Sequence, residues 1–143
     1  MSNYWIGVAA RDHVKVGERN GFAQLGHGKE SALSNLKRND WIVYYSPKTK
    51  LEGGDTVQAF VSIGKIVSDT PYVAEVSDNF KPYRVDVNYK EFAKEASIRP
   101  LLNELKLTKE RGKNWGLVFR RRKIKVDKSD FKIIADAMQI NIV

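Results

Sequence analysis

Apolar positions in this chain recur mostly every second residue, in short runs broken by polar turns. Residues 4–10, Tyr4-Trp5-Ile6-Gly7-Val8-Ala9-Ala10, read as a buried strand rich in aromatic and aliphatic side chains. Residues 13–28 carry Gly17, Gly21, Gly26 and Gly28 and read as loop. Residues 30–37 suggest a short helix with Ala32, Leu33 and Leu36 on one side. Asn39-Asp40 then turns the chain into a strand, Trp41-Ile42-Val43-Tyr44-Tyr45-Ser46, which Pro47 ends. A polar turn over 48–55, with Gly53-Gly54, leads into the longest strand, 56–67. There the alternation places Val57, Ala59, Val61 and Ile63 on one face, and Gln58, Phe60 and Ser62 on the other.

In the second half, 72–76 reads as a strand, and Tyr83, Val85, Val87 and Tyr89 mark another by strict alternation. Ser97 can cap a short helix with Pro100 in its first turn and Leu101, Leu102 and Leu105 as its apolar side. Residues 115–119 read as a strand that continues through a basic hairpin into Ile124-Lys125-Val126. Asp127 or Ser129 caps a last helix, with Phe131, Ile134, Ala135 and Met138 at core spacing. Because strands and helices mostly do not alternate, the pattern argues against a doubly wound α/β fold. It predicts an α+β chain: a mixed, curved sheet or small barrel of about six strands with short helices at its side. Residues 1–143 read as one domain, long enough to bury a core.

Charge changes this picture in one place. Between Lys106 and Lys132 stand eleven Lys/Arg and three Asp/Glu, a local net of +8 that equals the formal charge of the whole chain. The remainder is balanced. Such concentration suits a polyanion-binding face, and it equally suits a solvated basic hairpin. Apolar runs stay well short of the roughly eighteen residues of a membrane span. Met1-Ser2-Asn3-Tyr4-Trp5 has no basic n-region or cleavage signal. With no cysteine in the chain, disulfides, thiolate metal sites and cysteine nucleophiles are excluded. The composition fits a cytoplasmic protein.

Motifs for catalysis and cofactors are missing. His13 and His27 lie fourteen residues apart with no Cys or HxxxH partner, so no metal site is indicated. Gly26-His27-Gly28-Lys29 is not a phosphate loop, because Ala23 stands where the first Gly is required and Glu30 replaces the Ser/Thr. Ser46 has no nucleophile-elbow context, and the carboxylates are scattered. No cofactor is implied. His27-Gly28-Lys29 reads either as the lip of a pocket or as a plain turn before a helix. The aromatics Trp5, Trp41, Tyr44, Tyr45, Phe60 and Trp115 all fall in expected strands, and most belong to the core.

Several blocks in order are more specific than composition. They are Tyr4-Trp5-Ile6-Gly7-Val8-Ala9, Asp12-His13-Val14, Gly21-Phe22-Ala23-Gln24 with His27-Gly28-Lys29, and Asp40-Trp41-Ile42-Val43-Tyr44-Tyr45-Ser46-Pro47-Lys48. Gln58-Ala59-Phe60 with Ile63-Gly64, Asn114-Trp115-Gly116, Phe119-Arg120-Arg121, and Asp130-Phe131 with Ala137-Met138 complete the set. Together they resemble the EVE domain family, in particular its small stand-alone bacterial and archaeal members. The resemblance implies a PUA-like pseudo-barrel and a non-catalytic nucleic-acid-binding module, for RNA or DNA, that takes a base or a modified base into a pocket at the barrel mouth. The superfamily includes YTH domains, which hold a methylated adenine in an aromatic cage.

Carried over residue by residue, the resemblance implies base contacts from Arg11, Asp12 and His13 after the first strand, and from Phe22, Gln24, His27, Gly28 and Lys29, a segment without a Trp. Tyr45, Ser46 and Pro47 close the neighbouring strand at the same end, and Asn114 and Trp115 are further candidates. Arg120, Arg121, Arg122, Lys123 and Lys125 would face phosphate. A second expectation is enzymatic. ASCH domains share the PUA-like architecture and include hydrolases of modified nucleosides, and in that reading Lys29, Glu30 and Tyr45 would be the polar catalytic groups.

Overall fold

A computed structural model describes residues 2–142 of the 143-residue chain. Strand β1 (Tyr4–Val8) lies inside a mixed sheet, one strand from its edge, parallel to β3 (Trp41–Lys48) and antiparallel to the edge strand β8 (Lys123–Val126). β3 pairs with β4 (Thr56–Ile66), β4 with β6 (Tyr83–Tyr89), and β6 with the two-residue β2 (Phe22–Ala23), giving the order β2-β6-β4-β3-β1-β8. The short strands β5 (Tyr72–Val73) and β7 (Ala96–Ser97) pair with β6 and β4. The sheet curls into the expected PUA-like half-barrel. Two α-helices, α1 (Arg11–Asn20) and α2 (Lys128–Ala137), pack on it.

Each face of the sheet carries a core. All six residues from Trp41 to Ser46 are buried, as a strand covered on both sides requires. On one face Ile6, Val43, Tyr45, Phe60 and Ile63 meet Phe131, Ile134 and Met138 of α2. On the other, Trp5, Ile42, Tyr44 and Val61 meet Val14 of α1, Leu25, Leu33, Leu36, Val85 and Val87.

Strand β4 departs from simple alternation. Tyr44 pairs with Ser62 and Tyr45 with Phe60, so Val61 is an extra residue, a β-bulge. The bulge flips the parity: Phe60 and Ile63 share one core while Ala59 and Val61 share the other, correcting the expectation that Ile63 sits with Val61. The bulge carbonyl of Val61 accepts from Lys15 Nζ at 2.9 Å, so α1 satisfies it.

Three local expectations are corrected. Residues 11–20, read mostly as loop, form α1. Gly17 is there for close approach, since a Cβ would stand 2.5 Å from the Phe22 carbonyl oxygen, and Gly21 ends the helix at φ +75°. Residues 115–119 are not a strand but part of a run of tight helical turns, Gly112–Arg120, which buries Val118 and Phe119 and leaves Leu117 exposed. An apolar run of that length fits either element. The helix expected over 30–37 shrinks to a single turn, Glu30–Leu33. The final helix is as expected, capped by Asp127, whose side chain accepts from the Asp130 amide at 2.8 Å.

Candidate functional site

The C-terminal end of β1 runs into the start of α1, and other segments gather around that junction. The chain after β2 brings Gln24, Leu25, Gly26 and His27. The β3–β4 hairpin brings Lys50 and Leu51, the β5–β6 connection brings Phe80, and the corner before β8 brings Arg122. With Val8, Ala9, Ala10, Asp12 and His13 they enclose a cavity of about 430 Å³, within the ~300–1,000 Å³ usual for small-ligand sites. The hairpin is tied to α1 by the Asp12 amide, which donates to the Thr49 carbonyl at 3.0 Å.

A second hollow of about 290 Å³ adjoins the first and shares Val8, Ala9, Ala10, Lys50, Leu51 and Arg122 with it. Its remaining wall is Pro47, Lys48, Phe119, Arg120 and Arg121. Cavity and groove are therefore neighbours with a common wall. Val8's amide donates to the Arg122 carbonyl at 2.9 Å, which fixes the arginine corner against β1.

Half of the cavity's polar side chains, His13, Gln24 and His27, are groups suited to directed hydrogen bonds; the other half, Asp12, Lys50 and Arg122, are charged. His13 stands at the mouth, exposed on one side. Burial of its other side, then the positive charges of Arg84 and His27, lower its pKa below 6.5 against an opposing hydrogen bond to the Gln24 backbone, so the imidazole is neutral at pH 7. Gln24 is buried, and its backbone carbonyl accepts from the Tyr44 hydroxyl at 3.2 Å. His27 reaches the site from a left-handed backbone, φ 60°. Leu51 and Phe80 line the cavity with 73% and 42% of their surfaces exposed, so apolar surface remains open there to a ligand.

Asp12, His13, Gln24 and His27 come together at the cavity, and Pro47, Arg120, Arg121 and Arg122 at the groove. The other expected residues lie elsewhere. Arg11 forms a forked pair with Glu95 at 2.5–3.1 Å. Phe22 is buried beneath the Arg84 guanidinium, 3.8 Å from its ring centre. Gly28 packs against Pro82, and Lys29 is exposed beyond it. Tyr45 is core: its ring stacks on Phe119 at 4.0 Å, and burial pushes its hydroxyl up to about 12. Ser46 is fully buried with its hydroxyl unpaired. Asn114 is exposed, and half-buried Trp115 lies under Arg99 at 5.2 Å. The Lys123 ammonium sits 5.2 Å from the Trp5 ring, and Lys125 is exposed on β8. Lys29, Glu30 and Tyr45, the groups the hydrolase expectation needs, do not meet at the cavity.

Buried carboxylates elsewhere are occupied structurally. Asp40 accepts from Trp5 Nε1 and the amides of Asn3 and Lys37 at 2.9–3.1 Å. Asp130 accepts from the amides of Lys106 and Leu107 at 2.9 and 3.1 Å. Among the described residues no group of three or more His, Cys, Asp or Glu could hold a metal ion, and no helix is long and apolar enough to cross a membrane.

Lys50, Leu51 and Phe80 were not expected from sequence. Their signal is weak: a lone apolar residue stranded in each of two polar turns.

The fold is similar to that of protein Atu2648 from Agrobacterium tumefaciens, at a TM-score of 0.61 and 12% identity over 99% of this chain and 97% of that one. It is equally similar to the YTH domain-containing protein mmi1, solved as a complex with RNA, at a TM-score of 0.61 and 11% identity over 96% of this chain and 81% of that one. Sequence relatives are much nearer. A UPF0310 protein of Mycolicibacterium vanbaalenii is 42% identical over 138 residues, 96% of this chain and 93% of that protein. The UPF0310 protein YdcG of Bacillus subtilis is 40% identical over 141 residues, 99% and 95% of the two chains. The family profile of the EVE domain matches residues 3–137, and the chain belongs to the EVE domain family.

Proposed function

We propose that this protein is a non-catalytic RNA-binding module that takes one nucleobase, plain or modified, into the 430 Å³ cavity and lays the adjoining backbone along the arginine groove. The observation that carries this reading is the adjacency of the two hollows, which share six lining residues. A cavity lined by the hydrogen-bonding groups of His13, Gln24 and His27, with one exposed aromatic, lies beside a groove edged by three consecutive arginines. Phe80 supplies the stacking surface, worth ~1–3 kcal/mol per base. Arg120, Arg121 and Arg122 supply salt-dependent attraction to phosphate. The complex of mmi1 with RNA, on the same fold, favours RNA over DNA as the first ligand to try. A base must leave its stack to enter, which costs a few kcal/mol in a duplex, so single strands bind better than duplexes.

The test is titration with single-stranded RNA and DNA oligonucleotides, with and without base methylation, at two salt concentrations. Binding that weakens steeply with salt and differs between central bases is expected. Absence of binding at low salt, or binding indifferent to salt, would overturn the reading.

A further inference from the structure

Gln24 is the one buried polar side chain among the described residues of the cavity wall, 5% exposed. Its Oε1 accepts from Arg84 Nε at 3.0 Å. That contact decides which way the amide faces. The oxygen and nitrogen of a glutamine amide are nearly isosteric, and their assignment usually rests on neighbours. Here the neighbour is a guanidinium, which has donors and no acceptor. The oxygen must therefore turn toward Arg84, and the –NH₂ is left on the opposite side.

Arg84 itself does not line the cavity; it stands behind Gln24. Strand pairing brings it near, because β2 and β6 run antiparallel with Phe22 opposite Asp86 and Ala23 opposite Val85, so the step after Ala23 approaches the residue before Val85. Its guanidinium lies 3.8 Å from the centre of the buried Phe22 ring, a cation–π contact that limits its own rotation. The backbone of Gln24 is held as well, through the Tyr44 hydroxyl on its carbonyl. Both ends of the residue are thus fixed.

We propose that Arg84 is a positioning residue that locks the Gln24 amide, so that the cavity presents an N–H donor and selects a base whose inserted edge carries an acceptor, either a carbonyl oxygen or an unprotonated ring nitrogen. This rests on the base-binding reading above. A base that turns a donor or an alkylated nitrogen to Gln24 leaves a buried amide unpaired, and unpaired buried donors are what separate matched from mismatched ligands.

The experiment measures affinities for single-stranded RNA heptamers with A, C, G or U at the centre, and for the same heptamers with one central acceptor deleted or made poor: 1-, 3- or 7-deazaadenine, 3- or 7-deazaguanine and 3-deazacytosine for the ring nitrogens, and 6-thioguanine, 2-thiocytosine, 2-thiouracil or 4-thiouracil for the carbonyl oxygens. For the native protein, at least one such replacement weakens binding tenfold or more. In Arg84→Met, which keeps a stem on Phe22 but has no donor, that penalty falls to threefold or less. In Gln24→Glu the carboxylate still accepts from Arg84 but turns an oxygen to the cavity, so that analogue binds at least as well as its parent. Both ratios compare ligands on one protein, and a general loss of affinity leaves them unmoved. Full retention of the penalty in Arg84→Met overturns the proposal while leaving base binding intact, as does a native protein that binds but ignores every replacement. A native protein that binds no heptamer at low salt overturns base binding and the proposal together. Circular dichroism and Tm check that each variant folds. If Arg84→Met does not, an undiminished penalty in Gln24→Glu is the overturning result.

Discussion

The cavity and the groove share a wall and differ in what that wall is made of. Around the cavity stand His13, Gln24 and His27, groups suited to hydrogen bonds of defined direction, with Phe80 and Leu51 at the rim. Along the groove stand Lys48, Arg120 and Arg121 over an apolar floor of Pro47 and Phe119, with Lys50 and Arg122 common to both. On the proposed reading the first arrangement would distinguish ligands and attract them weakly. The second attracts any polyanion and distinguishes little. The basic cluster visible in the sequence is also divided. Lys106 is paired with Asp127 at 3.0 Å, Lys132 with Asp136 at 2.8 Å, and Lys123 lies against Trp5. Three arginines, not the whole segment, shape the groove.

The sharpest way to break this comparison is charge reversal in the groove. Arg120→Glu with Arg121→Glu should weaken binding of every single strand by roughly a hundredfold at low salt, and flatten the log–log salt dependence by about 1.4, the share of two phosphate contacts. Both side chains are exposed, so Tm should hardly move. If the variant instead altered the order of preference among central bases, groove and cavity would not be separate devices. Next in size is Phe80→Ala. Loss of one stacking surface should cost ~1–3 kcal/mol of binding, and the loss should be greatest for purines. Phe80 makes backbone hydrogen bonds with Ser77 at 3.1–3.2 Å that the substitution retains, so a fall in stability is not expected. Equal weakening of an abasic heptamer would show that Phe80 does not stack on a base.

Much of the sheet was legible, and the reason is physical. β3 and β6 are coded by local signals: β3 by an unbroken apolar run, β6 by Val85 and Val87 buried between exposed Asp86 and Asn88. α1 was not legible because only Val14 and Gly17 of its ten residues are buried, too few to print a helical period. Its glycines, read as loop punctuation, are a close contact and a cap. The bulge at Val61 was equally hidden, since two opposed residues can be counted only with both strands in view. At the site, His13, Gln24 and His27 could be named because the resemblance to the EVE family carries them, whereas their local composition reads equally well as a plain turn. Phe80 and Arg84 stand far along the chain, Arg84 sixty residues from Gln24, and no local pattern connects them to it.

The smallest expected effect separates the two regions by pH. His13 has its folded-state pKa lowered below 6.5, chiefly by burial against the cavity. Above pH 6.5 the imidazole is neutral in both folded and unfolded chains and contributes no slope. As pH falls through 6.5 the unfolded chain takes up the proton first, so it binds more protons than the folded one and stability declines. The decline ends once pH drops below the lowered folded value, where both states are protonated. Thermal unfolding followed between pH 7.5 and 5 should therefore show a Tm that falls on the acid side. In His13→Gln this component should be absent, while Arg121→Glu should leave it in place. Loss of the slope in the groove variant would mean that the arginine corner sets the environment of His13, and that the wall shared through Arg122 couples the two hollows electrostatically.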